Sequence, residues 1–588
     1  MSQAMPEFSS SVPRRTGVSP IFIVMGLLAI YLAIAYHQVL RVPFMADDFM
    51  IIKRVLGASF LSLWLPHDLI FDYWRPWSRD ATYWAALRLF GSQELPLHLI
   101  ALGVWLMIAG FYFALVRRMA GTAAAAVATA GMAALAAWSA PLYWIAGLQD
   151  LWMLAFVLAS LLCFAYNRVA WATVALALAL LSKEPSFIVP AVAAAYAILI
   201  DRRNLSDVAR RTAPLWIVTT LWAVLHPRLG GSLWHASSSF VPPWPHPSPL
   251  AMAGHVLVTA FNLDALPRPM IGWNTTLGAA AIQILPLAAL VAWGRWEKQR
   301  ASAATRSEGT QASTSPRLVA FGLLWSALAW IPLLEPTLPW NAYYALASSF
   351  GLWLIVGTLL ARHLWIALVA VSALGVVRAA RTTTISESLG SEWHQANAAE
   401  FMTRTRDYFK SNRPKLPSQT RVYLSNVPAG CGLFPGGPES IAMRVWCGDP
   451  TLRTFYLSRY RPRDPGDAPG SDRHFSFDTE LGWYEVPIGP QKDWIPPKVR
   501  EARASRLWNQ RDYAAALSDY SRLAKLFPEH LSYVFNVGSC YYVMGDSARA
   551  ARWFRRAADF PGAPAVVYEA ARKTRRFLKQ QAPKPATS

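Results

Sequence analysis

From Pro20 onward, stretches of about twenty apolar residues alternate with short polar breaks, a length set by bilayer thickness rather than by a soluble core. The first run, Ile21 to Leu40, follows Arg14 and Arg15 and has no small-residue cleavage site behind it. It predicts an uncleaved first span, with residues 1–19 as a cytoplasmic tail. A long polar stretch, 41–95, separates it from the second run, Pro96 to Val116, which ends at Arg117 and Arg118, so 41–95 is read as an external loop. Further runs centre near residues 130, 158, 176, 194, 219, 284, 326, 351 and 370, giving about eleven spans within 20–380. An odd count puts the termini on opposite sides of the membrane. Arg168, the turn Asp201-Arg202-Arg203 with Arg210 and Arg211, the stretch Arg295 to Arg317, and Arg362 then fall inside, as lipid-anchoring cations do, while Arg378 and Arg381 fall outside against the rule. The runs near 176 and 194 are short. Lys183-Glu184-Pro185 between them belongs at the outer surface or in a water-filled recess, because two charges in lipid are costly.

Near Arg381 the pattern changes to that of an ordinary soluble chain. Residues 381–497 carry scattered Pro, Gly and charge, and the alternating Arg421-Val422-Tyr423-Leu424 predicts a strand in a small external α/β domain. Residues 498–588 repeat with a spacing of 34: Asp512 with Asp546, Ala516 with Ala550, Tyr520 with Phe554, Leu523 with Ala557. That is the tetratricopeptide period, with small residues where paired helices approach, an aromatic filling the space between, and Pro528 stopping a helix. Two readings of this tail stand together, a helical cap and a partner-binding surface. The fold class is thus mainly α: a polytopic membrane domain, an external mixed α/β segment and a tetratricopeptide-like tail.

Composition agrees. Of 588 residues, 54% are hydrophobic and 15% charged, against about 25% charged in an ordinary soluble protein, which argues against a purely soluble enzyme. The net charge of +21 suits loops anchored to anionic lipid and gives no reason to invoke nucleic acid. Four cysteines exclude a disulfide-rich scaffold; Cys431 and Cys447 both lie in the external segment, where an oxidising periplasm would let them pair.

The candidate chemistry sits in the first external loop. Asp47-Asp48 follows the first span directly, and adjacent carboxylates there read as a general base or a metal ligand, with a helix cap or solvated turn as the plain alternative. Tyr73-Trp74-Arg75-Pro76 places a guanidinium among aromatics beside the bilayer, which suits a lipid-linked phosphate and equally suits an interfacial aromatic belt. Lys183-Glu184 pairs a cation with an anion, for a ligand or as a simple internal ion pair. No GxxxxGK[ST] run is present, so nothing in the sequence calls for ATP. The stretch Pro227 to Asn274 holds His235, His246 and His255, with His226 just before, at spacings that fit no compact metal motif, so a loop with an interfacial helix is the better reading; Asp264 and Arg268 in it are placed on the acceptor side by position alone.

In their order, Asp47-Asp48, Tyr73-Trp74-Arg75-Pro76, Phe90-Gly91 with Pro96 and His98, and Ser182-Lys183-Glu184, followed by further spans and a repeat-bearing tail, resemble the GT-C superfamily of integral-membrane glycosyltransferases. Within it the chain is similar to the transmembrane and tetratricopeptide-repeat O-mannosyltransferases and their bacterial relatives. The resemblance implies a sugar donor on a polyprenyl phosphate and a glycan, lipid or protein acceptor at the periplasmic face of a bacterial inner membrane. It implies Asp47 and Asp48 as the catalytic acids, and Arg75 and Lys183 as contacts of the donor phosphate, with Glu184, His98 and Tyr73 in support. Trp77, Ala101, Trp105 and Asn341-Ala342-Tyr343-Tyr344 depart from the pattern of similar proteins, the last by lacking an arginine before the tyrosines. Paired carboxylates would suit Mg²⁺ or Mn²⁺, and the sequence leaves metal dependence open. It also keeps two other readings in play: an O-antigen ligase or polymerase, and a non-enzymatic membrane-anchored assembly factor that works through its repeats.

Overall fold

The computed structural model describes residues 20–67, 69–229, 248–263, 277–304, 316–334, 340–379, 392–412, 416–428, 431–435, 437–463, 471–488 and 494–581. The chain forms two compact units, one of residues 1–403 with 429–437, the other of 404–428 with 438–588.

The first unit is helical: α1 Pro20–Ala35, α2 Asp47–Val55, α3 Thr82–Phe90, α4 Leu95–Ala133, α5 Leu148–Ala165, α6 Val169–Leu180, α7 Val189–Leu199, α8 Leu205–Leu225, α9 Pro249–Ala260, α10 Leu277–Ala304, α11 Pro316–Trp330, α12 Leu346–Leu360 and α13 Leu364–Ala379. Each of the eleven predicted apolar runs falls on one of these helices. By length and composition, four stretches among the described residues can cross a bilayer: Leu95–Ala133, Ile145–Ala165, Pro316–Leu334 and Ala342–Leu360; Pro20–Ala35, Val169–Leu180, Glu184–Leu199, Pro249–Ala260 and Leu364–Ala379 are apolar but shorter. Phe22, Ile217, Leu285 and Trp365 stand on outward faces, each more than 60% exposed, a surface that lipid solvates and water does not.

The second and third predicted runs share α4, which leaves helical geometry at Gly121 (φ 83°, ψ 173°), three residues past Arg118. Inside the unit, helices approach through small residues: a Cβ on Gly351 would stand 2.4 Å from the Gly322 carbonyl oxygen, and one on Gly131 would stand 2.1 Å from the Trp353 ring. Arg378, which breaks the charge rule in the sequence, is buried; its Nε donates to Tyr36 Oη at 3.0 Å and its Nη1 to Gln283 Oε1 at 3.0 Å. It ties helices together and says nothing about loop orientation. Arg381 lies outside the described residues.

The second unit holds the predicted mixed sheet, of strands β1 Arg421–Ser425, β2 Glu439–Ser440, β3 Arg453–Tyr456, β4 Asp472–Asp478 and β5 Gly482–Val486, in the order β2-β3-β1-β4-β5. β1 runs parallel to β3 and β4, while β2 and β5 are antiparallel edges. Val422, Tyr423 and Leu424 are all buried, so β1 is covered on both faces, as a central strand must be. From α14, Glu392–Ser411, Phe409 packs on Phe475 and Trp483, and Trp483 Nε1 donates to Thr405 Oγ1 at 2.9 Å. The short helix α15, Ala442–Cys447, lies between β2 and β3 in the chain, and both Cys431 of the first unit and Cys447 of the second are free thiols rather than a disulfide.

The tail consists of α16 Pro497–Asn509, α17 Tyr513–Leu526, α18 Leu531–Val543, α19 Ser547–Ala558 and α20 Ala565–Gln581. Its 34-residue recurrence is physical. Asp512 and Asp546 take nearly identical backbone angles and cap α17 and α19, accepting from Ala515 N at 3.1 Å and Arg549 N at 2.9 Å. Ala516 and Ala550 are fully buried, and Tyr520 and Phe554 fill matching places beside them. α17 ends at Leu526, just ahead of Pro528.

Candidate functional site

The first loop is held in place by its own backbone. Ala46 has φ 49° and ψ −126°, a conformation that an L-residue adopts only when its surroundings enforce it. Its N–H donates to the Gly432 carbonyl at 2.8 Å, and Gly432 is itself at φ 76°; a Cβ there would lie 2.5 Å from Ala46 N. The bent chain then starts α2 with Asp47 and Asp48 in its first turn, where the helix dipole favours negative charge.

The two carboxylates part company at once. Asp48 is fully buried; one oxygen accepts from Met45 N at 2.8 Å and the other from Tyr83 Oη at 2.6 Å. Burial outweighs these donors and pushes its carboxyl up to about 7. Asp47 is half-buried, and no hydrogen bond or ion pair reaches it among the described residues. Burial raises its carboxyl above the ordinary 3.8, against the pull of the Arg75, Arg79 and Lys183 charges.

Those cations come from two parts of the chain. Pro76–Ala81 winds as a π-helical turn that docks on the turn after α6: Trp77 N donates to the Leu181 carbonyl at 3.2 Å and Ser78 Oγ to the Ser182 carbonyl at 2.7 Å. That docking brings Arg75 beside Glu184. Arg75 Nε lies 3.0 and 3.1 Å from the two Glu184 oxygens, its Nη2 2.5 Å from Oε2, and its Nη1 donates to Gln149 Oε1 at 2.9 Å. Lys183 Nζ donates to both oxygens of Asp150, at 2.7 and 2.8 Å, and stands 5.3 and 5.4 Å from the centres of the Tyr343 and Tyr344 rings. The Tyr73 ring has the Arg75 guanidinium 4.2 Å from its centre and that of Arg228 at 4.5 Å. His226 Nε2 lies 3.5 Å from Glu184 Oε1. Buried Asp80 takes Arg54 Nε at 2.9 Å and Arg79 Nε at 2.7 Å, so the far end of α2 is clamped to the same π-helical turn.

Tyr73, Arg75, Lys183 and Glu184 therefore form one cluster, with Asp47 within reach of its charge. His98 is placed elsewhere: fully buried in the first turn of α4, it meets the Val42 carbonyl at 2.9 Å and secures the chain leading to Asp47. His255, on α9, stacks on Trp340 with ring centres 5.2 Å apart, while Asp264, Arg268, His235 and His246 lie outside the described residues. Asp150, Gln149, Tyr83 and the Arg54–Asp80–Arg79 group were not singled out from the sequence, and His226 was weighed there only as a metal ligand rather than as a partner of Glu184. Asp150 alone carried a signal, a lone acid at the head of an apolar run, which in a membrane segment marks a buried partner. Among the described residues no group of three or more His, Cys, Asp or Glu could hold a metal ion.

Such a cluster offers one unpartnered carboxylate beside cations that are already partly neutralised. Comparison with known proteins gives no match among curated proteins. Among solved structures, ArnT from Cupriavidus metallidurans bound to undecaprenyl phosphate is similar at 14% identity over 74% of this chain and 86% of its own, with a TM-score of 0.38. The Archaeoglobus fulgidus oligosaccharyltransferase tethered to an acceptor peptide is similar at 11% identity over 74% and 63%, with a TM-score of 0.35. The tetratricopeptide-repeat family model matches residues 501–564, the stretch in which the 34-residue recurrence of caps, small residues and aromatics is seen.

Proposed function

We propose that the chain is a multi-pass membrane glycosyltransferase that moves a sugar from a polyprenyl-phosphate donor to an acceptor on the periplasmic face of a bacterial inner membrane. In this reading the body crosses the membrane eleven times, the N-terminus is cytoplasmic, and the tail holds or orients a glycan, lipid or protein acceptor. The observation that carries it is the contrast between Asp47, unpartnered and half-buried among cations, and Asp48, buried and hydrogen-bonded twice.

Asp47 is the base. Burial raises its carboxyl above the ordinary carboxylate range, which makes it a stronger base for the proton of an acceptor hydroxyl as that hydroxyl attacks the anomeric carbon. The bond from that carbon to the phosphate oxygen breaks, and the departing lipid phosphate gains charge. Arg75 and Lys183 stabilise that charge from fixed positions, Arg75 by the second N–H on each of Nη1 and Nη2, its fork being held by Glu184, and Lys183 by the one N–H of its three not turned to Asp150. Asp48, through Met45 and Tyr83, holds the first turn of α2 in place.

The test compares glycans and lipid-linked sugars by mass spectrometry in strains that are deleted, complemented, or complemented with Asp47→Asn at matched protein level. Loss of one sugar from a glycan, with retention of its lipid-linked donor, in both the deleted and the Asp47→Asn strains is the expected result. Unchanged glycans in all three reject the enzyme and leave the repeat-bearing tail as the working part.

A further inference from the structure

The last two helices carry a charge that their own unit does not balance. From Lys498 to Gln581 the chain has sixteen Lys and Arg against seven Asp and Glu. In α19 the buried side is Ala550, Ala551, Phe554 and Ala557; in α20 it includes Val567 and Thr574. Opposite those sides, Arg552, Arg555 and Arg556 recur at the spacing of Arg572, Arg575 and Arg576, three and four residues apart, which sets each trio on one face of its helix. All six are exposed. Arg556 donates to the Pro528 carbonyl at 3.3 Å and lies over the Trp553 ring, and among the described residues none of the six has a carboxylate partner. On α20, Tyr568, 48% exposed, falls among the arginines, while Val566 and Phe577, 59% and 45% exposed, form a flank between the arginine face and the buried side.

We infer that α19 and α20 form a docking surface for an anionic phospholipid bilayer. Guanidinium forks match phosphate oxygens, and exposed aliphatic and aromatic side chains on the flank next to them match the boundary between headgroups and acyl chains. An acidic protein would satisfy the arginines but leaves the exposed flank of Val566 and Phe577 without a role. A bilayer satisfies both, and the chain's apolar helices would keep one at high effective concentration.

The test uses the full chain reconstituted in nanodiscs of phosphatidylcholine alone or mixed with phosphatidylglycerol, with backbone hydrogen exchange as the readout. The expected result is exchange slowed several-fold in α19 and α20 by phosphatidylglycerol, reversed by high salt and absent in a variant carrying Arg552→Glu, Arg555→Glu, Arg572→Glu and Arg576→Glu. Unchanged exchange in α16 and α17 of that variant shows that it is folded. Equal exchange in the two bilayers overturns the inference, as does protection in phosphatidylcholine by inorganic phosphate alone, which would indicate a phosphate site instead of a surface. The outcome is independent of whether the first loop is catalytic.

Discussion

Arg75 and Glu184, 109 residues apart in the chain, meet in a forked ion pair in which one guanidinium reaches both carboxylate oxygens. The same guanidinium extends to Gln149, and the neighbouring Lys183 is held by Asp150. The loop after α1 and the turns at the heads of two apolar helices are thereby a single electrostatic body, in which each partner is mostly buried.

That arrangement predicts the effect of Glu184→Gln. A buried cation that loses its partner costs about 3–5 kcal/mol, so the variant should melt well below the parent in detergent. Adding Arg75→Met should recover part of the loss, because the stranded charge is then gone. A Glu184→Gln protein with the parent's melting temperature would mean that the pair is solvated.

The two adjacent aspartates should separate cleanly. Asp47→Asn is expected to lower transfer by about a hundredfold or more with the melting temperature unchanged, as loss of a positioned base does. Asp48→Asn keeps an acceptor for Met45 N–H, and Tyr83 Oη can turn to accept from the new amide, so it should retain most transfer; Asp48→Ala, which removes both contacts, should lose stability. Equal activity loss in Asp47→Asn and Asp48→Asn at equal stability would refute the division of roles.

A pH dependence of stability follows from Asp48. Burial lifts its carboxyl from 3.8 to about 7 in the folded chain, so the fold favours the neutral acid. The associated stability is complete below about pH 4 and is lost as the pH rises through about 7. Melting temperatures taken on both sides of that window should fall with rising pH in the parent and fall less in Asp48→Asn. Parallel curves would show that the group does not titrate there.

In the tail, Gly538→Ala should destabilise the repeat. A Cβ at that position would lie 2.8 Å from the Phe554 ring, in the interface between α18 and α19, and overpacking of that kind costs about 1–3 kcal/mol. Limited proteolysis of the full chain should then cleave within 531–581 sooner than in the parent. Unaltered cleavage would mean that Phe554 yields without loss.

What the sequence alone determined is what depends on local periodicity. Apolar runs of bilayer length fall on helices because burial and lipid contact act residue by residue. The 34-residue recurrence fell on matching caps and matching core positions because Asp512 and Asp546 act within one helical turn. Tyr73, Arg75, Lys183 and Glu184 could each be singled out as polar residues beside apolar runs, but only the resemblance joined them at one donor site, and it included His98, which the fold places against the Val42 carbonyl instead. Pairing was not legible. Whether Arg75 meets Glu184 or water, whether Asp47 or Asp48 is the free acid, and that Arg378 lies against Tyr36 rather than in a loop depend on which distant segments pack together, here the π-helical turn on the Leu181–Ser182 carbonyls and Gly432 on Ala46. Charges act through space over distances that spacing along a chain does not encode, so the tertiary structure alone decided which of two adjacent carboxylates was left without a partner.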